Sequence, residues 1–222
     1  EPLLMALAQN TRSGRLGSFQ PFFINSQKRS FPMRHAFTVL AACAAFAAAA
    51  PAQAADYVID ATHTTVFFEI NHFGASINRA RFDKKEGTVQ FDPAAKTGKV
   101  NIKIDAASIS SGVPPFDKHL KSADLFDVEK YPSITFAADQ FTFDGDKVKE
   151  VKGQLTLKGK THPVTLAARQ FTCYPNQMVK REVCGGDFET TIDRTLFDLG
   201  YGPEQMAGKQ VHVVISVEAV RQ

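Results

Sequence analysis

The chain has 222 residues, 44% of them hydrophobic, with 26 Lys and Arg against 23 Asp and Glu and a formal net charge of +3. The basic excess sits at one end: five basic residues (Arg12, Arg15, Lys28, Arg29, Arg34) and one acid (Glu1) fall in the first 54 positions, leaving 21 basic and 22 acidic groups in residues 55–222. Near-neutral charge over a stretch that suits one domain gives no support to nucleic-acid binding or polybasic membrane attachment.

Residues 1–32 show no sustained periodicity and are punctuated by Ser, Gly, Asn and Pro, so disorder is expected there. The chain opens on Glu1, and Met33 reads as the candidate start, with residues 1–32 a non-native extension. From Met33 the pattern changes to Arg34 and His35, an apolar run over Ala36–Ala50, then Pro51 and Ala52-Gln53-Ala54. A charged start, a short apolar middle and a small-x-small site describe a secretory signal peptide over 33–54, cleaved after Ala54. Its apolar run is shorter than the ~20 residues a membrane helix needs. Leu40-Ala41-Ala42-Cys43 supports a minor alternative, a lipoprotein modified at Cys43. Cleavage after Ala54 makes the expected location periplasmic.

Residues 55–222 read as strands. Val66, Phe68, Ile70 and His72 share one parity over Thr64–Phe73, and Gly74 ends the run. Ser76–Phe91 reads as a bent strand or two strands interrupted over Asp83–Gly87, carrying Phe82, Val89 and Phe91. In Lys99–Asp105 the apolar Val100, Ile102 and Ile104 alternate with polar residues, the mark of one buried and one wet face. Ser108–Pro132 breaks this rhythm. Phe116 and Leu120 stand i, i+4, so a helical turn or two is expected, with His119, Leu125 and Phe126 in the same segment.

Strands resume at Ser133–Ala138, with Ile134 and Phe136, and at Phe141–Phe143. Val151–Ala168 reads as a hairpin about Gly159, whose positive φ a two-residue turn favours; Leu155 and Leu157 lie on its apolar side. A polar segment over Phe171–Asp187 holds Cys173 and Cys184, the only cysteines outside the leader, expected to pair in an exported protein. Phe188, Thr190 and Ile192, then Val211, Val213, Ile215 and Val217, close the pattern. Some eight short strands with hardly any helix make an all-β fold, an antiparallel barrel or sandwich.

In order, Tyr57-Val58-Ile59-Asp60 with His63, His72-Phe73-Gly74, Phe91-Asp92, Ala106-Ala107-Ser108-Ile109, Asp117-Lys118-His119-Leu120, Leu125-Phe126-Asp127, Tyr131-Pro132 with Phe136, the Gly153–Leu166 block and Ser216-Val217-Glu218-Ala219-Val220 give residues 55–222 an ordered set of motifs. That set resembles the YceI-like family of secreted bacterial polyisoprenoid-binding proteins. Ala80 and Asp198 stand where the family often has Gly, and the Cys173–Cys184 stretch, read as a rim loop, is not general in it. The resemblance implies an eight-stranded, lipocalin-like antiparallel barrel with a short helical segment near one mouth.

It also implies an isoprenoid lipid, a polyprenyl chain or quinone tail, held in the bore. Sequence leaves open whether inward residues fill a barrel or line a cavity. The candidate ligand-binding residues are Phe68, Ile70, His72, Phe82, Val100, Ile102, Phe116, His119, Leu120, Phe126, Phe136, Leu155, Leu157 and Ile192. Nucleophile-elbow, Walker, Rossmann and zinc patterns are missing, so neither catalytic residues, metal ligands nor cofactors are expected beyond a bound isoprenoid lipid or quinone. Asp117 and His119 offer an acid and a base in one segment, but two residues apart they do not share a helix face. The leading function is sequestration, storage or transport of an isoprenoid lipid. The alternatives are an accessory protein of a quinone or haem electron-transfer chain, or a filled barrel acting through protein contacts. Expected partners are the lipid itself, no nucleic acid and no stable membrane span, with a homodimer left open.

Overall fold

The structure, a computed structural model, describes residues 53–222. The signal peptide, the lipoprotein alternative at Cys43 and the 1–32 extension lie outside, or almost wholly outside, those residues. Eleven strands form one antiparallel sheet: β1 Ala55–Ile59, β2 Thr65–His72, β3 Ser76–Phe82, β4 Lys85–Asp92, β5 Thr97–Asp105, β6 Ile109–Ser110, β7 Ser133–Asp144, β8 Lys147–Leu157, β9 Lys160–Asn176, β10 Arg181–Asp193 and β11 Ala207–Arg221. One helix, α1 Pro114–Lys121, lies between β6 and β7.

The sheet closes because β11 pairs with β10 on one side and with both β2 and β1 on the other. β1 and β2 occupy one position along β11, β4 and β3 the next, and β5 and β6 the one after. With β7 to β11 this gives a closed barrel of eight strand positions, three of them broken.

Each break is pinned to its neighbour. Asp60 accepts from the Thr62 amide at the first, where the Asp60 amide also donates to the Glu218 carbonyl of β11. At the other two, Asp83 and Lys84 donate from their amides to the carbonyl and Oγ of Ser108. These bonds satisfy backbone donors that the kinks would otherwise leave free.

The Lys158-Gly159 turn has φ of +50° and +73°, the left-handed pair a two-residue hairpin requires. Asp198 likewise sits at φ +56°, which accounts for Gly being favoured there.

Several expectations need correction. Asp83–Gly87 is not one long interruption: the break is confined to Asp83 and Lys84, and Gly87 belongs to β4. β7 is a single strand, because a bulge between Ala138 and Gln140 absorbs the parity change from Phe136 to Phe141 and keeps both apolar stretches inward. The Cys173–Cys184 stretch is not a rim loop, and strand pairing takes in all of the polar Phe171–Asp187 segment but the turn at 177–180. That segment forms the paired ends of β9 and β10, where a second bulge at Asp187/Phe188 makes the same correction. The helix ends at Lys121, so Leu125 and Phe126 follow it in turns, the Phe126 amide donating to the Leu120 carbonyl.

Cys173 and Cys184 are directly opposite in the β9–β10 ladder and bonded, Cα to Cα 4.0 Å. On the chain-entropy account, closing so short a loop in the unfolded chain stabilises by about 3 kcal/mol. A Cys173→Ala/Cys184→Ala double variant is therefore expected to melt roughly 6–12 °C lower for a domain of this size, as read by circular dichroism. An unchanged melting temperature would show that the hairpin already supplies that constraint.

Candidate functional site

Inward side chains gather into two apolar clusters. At the helix end Phe82, Ile104, Ile109, Leu120, Phe126, Ile134, Leu157, Phe197 and Leu199 pack together, with the rings of Phe68, Phe82 and Phe126 at 5.7–6.2 Å from one another. At the opposite end Tyr57, Phe91, Val148, Val151, Cys184 and Phe188 do the same. There Phe91 meets Phe143 and Phe171 at 6.2 and 5.5 Å, and the Phe141 ring lies over Gly98, where a Cβ would come within 2.7 Å of it.

These clusters do not fill the bore. A cavity of about 560 Å³ touches residues of both, within the ~300–1,000 Å³ usual for small-molecule sites. All fourteen sequence-derived candidates lie on its wall: Phe68, Ile70 and His72 from β2, Phe82 from β3, Val100 and Ile102 from β5, Phe136 from β7, Leu155 and Leu157 from β8, and Ile192 from β10, with Phe116, His119, Leu120 and Phe126 from α1 and the turn after it.

Others share the wall without having been singled out. Val211, Val213, Ile215, Val217 and Ala219 of β11, Val164 and Leu166 of β9, and Phe91, Phe141 and Phe171 are the main ones. Their alternation was readable in the sequence. The added information is closure, which turns every inward residue into lining.

Polar lining groups concentrate toward the helix end. His72 lies at the end of β2 and Asn78 near the start of β3, while the His119 ring meets Tyr201 of the β10–β11 connection edge-on at 4.8 Å. Arg194 is buried and donates Nε to the Gly208 carbonyl (2.9 Å), Nη2 to that of Ala207 (2.8 Å) and Nη1 to those of Leu199 and Tyr201. It thus organises the connection that carries Tyr201 and Met206. No periodic signal marks this arginine in the sequence, because its partners are carbonyls of residues 199–208.

Asp117 and His119 diverge. The Asp117 carboxylate accepts first from the Ser111 hydroxyl and then from its amide (2.6 Å), which hold it below its ordinary pKa, whereas His119 turns to Tyr201. Among the described residues no group of three or more His, Cys, Asp or Glu is arranged to hold a metal ion.

At the other end the buried Tyr57 hydroxyl donates to Glu182 Oε1 at 2.6 Å. Burial first, then this hydrogen bond and the nearby carboxylate, push the phenol up to about 12. A pKa raised on folding means the folded state holds its proton more tightly. Its stabilising contribution is full below the unfolded value of about 10 and is lost as pH climbs through the folded one. Alkaline titration followed by tyrosinate absorbance should show a late-ionising tyrosine that disappears in Tyr57→Phe. The variant should also lose less stability than the parent between pH 10 and about 12. If the amplitude lost in Tyr57→Phe lay instead near pH 10, with the other tyrosines, Tyr57 would be ionising freely.

The YceI-like domain model matches residues 57–219, nearly the whole described barrel. The chain belongs to the YceI-like family. A UPF0312 protein of Azotobacter vinelandii is 34% identical over 200 residues, covering 86% of this chain and all of that one. A UPF0312 protein of Vibrio cholerae is 40% identical over 120 residues, 53% of this chain, and the match spans only 64% of the Vibrio protein's length.

Among solved structures, Burkholderia cenocepacia BcnA superposes with a TM-score of 0.61 at 25% identity, over 72% of this chain and 98% of BcnA. A polyisoprenoid-binding domain from Saccharophagus degradans, implicated in plant cell wall breakdown, superposes with a TM-score of 0.54 over 77% of this chain and all of its own; at 16% identity it shares the fold alone. The YceI-like barrel and its single short helix thus agree with the architecture expected from the sequence. Among its described residues no helix is long and apolar enough to cross a membrane.

Proposed function

We propose that this protein binds an isoprenoid lipid, a polyprenyl chain or quinone tail, in the barrel cavity and stores or carries it in the periplasm without chemical turnover. The observation that carries the reading is the cavity, whose wall over most of its length is Val, Ile, Leu and Phe. Such a lining offers few groups to orient a compact polar substrate and suits a long hydrocarbon held by burial, at roughly 25 cal/mol per Å² of apolar surface. Polyisoprenoid binding in the Saccharophagus domain of the same fold supports the ligand class. The Cys173–Cys184 bond fits an oxidising compartment, as export with cleavage after Ala54 requires.

Export with its own leader, purification without detergent, and native followed by denaturing mass spectrometry test the reading. A chain mass matching residues 55–222, with an extractable isoprenoid accounting for the native excess, is the expected result. A native mass equal to that of the bare chain would remove the carrier role and favour protein contacts.

A further inference from the structure

The ligand's polar end remains unassigned by the carrier reading, and the cavity wall is electrostatically one-sided. Among the described residues it includes the cations Lys85 and Arg194 and the imidazoles of His72 and His119, but no aspartate or glutamate. Outside the barrel, cations such as Arg79, Arg169 and Lys209 have carboxylate partners. Lys85 and Arg194 have none among the described residues.

Arg194 is the sharper case, being only 5% exposed. Its four carbonyl partners satisfy N–H geometry but carry no net charge, and a guanidinium does not shed its proton. Buried charges are ordinarily paired. Lys85 opens β4 on the inward parity of Val89 and Phe91, and the nearest acceptor recorded for its ammonium is the Asp83 carbonyl at 3.4 Å. Lys85 pairs with Ile104 across the β4–β5 ladder and Arg194 donates to the Leu199 carbonyl, and Ile104 and Leu199 both belong to the helix-end cluster. Toward the other end the lining rings of Phe91, Phe141 and Phe171 offer no charge.

We propose that the cavity selects lipids whose head is an anion, a phosphate monoester or a carboxylate, with the head at the helix end against Arg194, assisted by Lys85, and the tail toward the aromatic end. This rests on the carrier reading. An anionic oxygen there supplies the counter-charge that the fold does not, and a charge-assisted hydrogen bond from a buried guanidinium is among the stronger ones.

The test compares ligands differing only in the head: a prenyl monophosphate against the free prenol of equal chain length, and oleate against oleyl alcohol. Each displaces the neutral dye N-phenylnaphthylamine from delipidated protein. The anion of a pair is expected to bind about tenfold tighter or more, the equivalent of one hydrogen bond to a charged group. That margin should shrink in Lys85→Gln and vanish in Arg194→Gln while the neutral member keeps its affinity.

A margin in the phosphate pair alone identifies phosphate as the head, and in the carboxylate pair alone a fatty acid. Equal affinities within both pairs overturn the head-group assignment and leave the carrier reading standing. Displacement by no ligand removes the carrier reading and this inference with it. Should Arg194→Gln fail to fold, the wild-type pairs and Lys85→Gln still decide the matter.

Discussion

Replacing Val213 by aspartate is expected to empty the barrel while leaving it folded. Val213 lies in β11, opposite Phe68 of β2 and Thr190 of β10, and its side chain is on the cavity wall. In the empty cavity a carboxylate there can keep water around it, so the stability loss should stay within about 0.5–3 kcal/mol. A hydrocarbon tail passing Val213→Asp must strip that water away. Desolvating an unpaired charge costs several kcal/mol, and at about 1.4 kcal/mol per factor of ten the affinity for an apolar chain should fall a hundredfold or more.

The natural control is the neighbouring Val214→Asp. Val214 pairs with Phe67 and Glu189 but has the opposite parity and is not on the cavity wall. Lipid extracted per protein, measured by mass spectrometry beside a circular dichroism melt, should fall only for Val213→Asp. Equal lipid content in the two variants would mean that the ligand does not occupy the bore.

That contrast depends on parity, which is also what the sequence expressed best. Val100, Ile102 and Ile104 of β5 alternate without interruption, and so do the inward residues of β11, so these strands and their buried faces were legible. Reading failed where parity slips. In β7 the apolar positions run Ile134, Phe136, Ala138 and then Phe141, Phe143, and in β9 they run Leu166, Ala168 and then Phe171, Cys173. A bulge accounts for each slip, but a one-residue change of phase looks the same in sequence as a loop. Closure was hidden for a different reason: the β1–β4 and β1–β11 pairings depend on contacts far apart in the chain. Arg194, whose role is set by carbonyls of a connection without periodicity, had no local signature at all.

The second large effect is expected at Phe197, which is 1% exposed, among the most deeply buried side chains of the barrel. It lies in the short 3₁₀ turn Arg194–Phe197 that follows β10, and its ring meets the edge of His162 of β9 at 5.0 Å. His162 in turn donates Nε2 to the Leu196 carbonyl at 3.0 Å, so ring and backbone hold the turn against the start of β9 together. Truncating a buried Phe to Ala removes its transfer energy and leaves a void that a closed barrel cannot easily collapse, at a cost of about 3–5 kcal/mol. Phe197→Ala should show this as a lower denaturant midpoint with an unchanged slope, because the unfolded surface is the same. The same turn precedes the connection that wraps Arg194 and carries Tyr201 to His119. Loosening it should therefore also speed release of a bound lipid at the helix end, whereas the Cys173→Ala/Cys184→Ala pair, at the far end, should lower stability without that acceleration. If both variants released lipid at the wild-type rate despite their lost stability, the helix end would not be the route by which the ligand leaves.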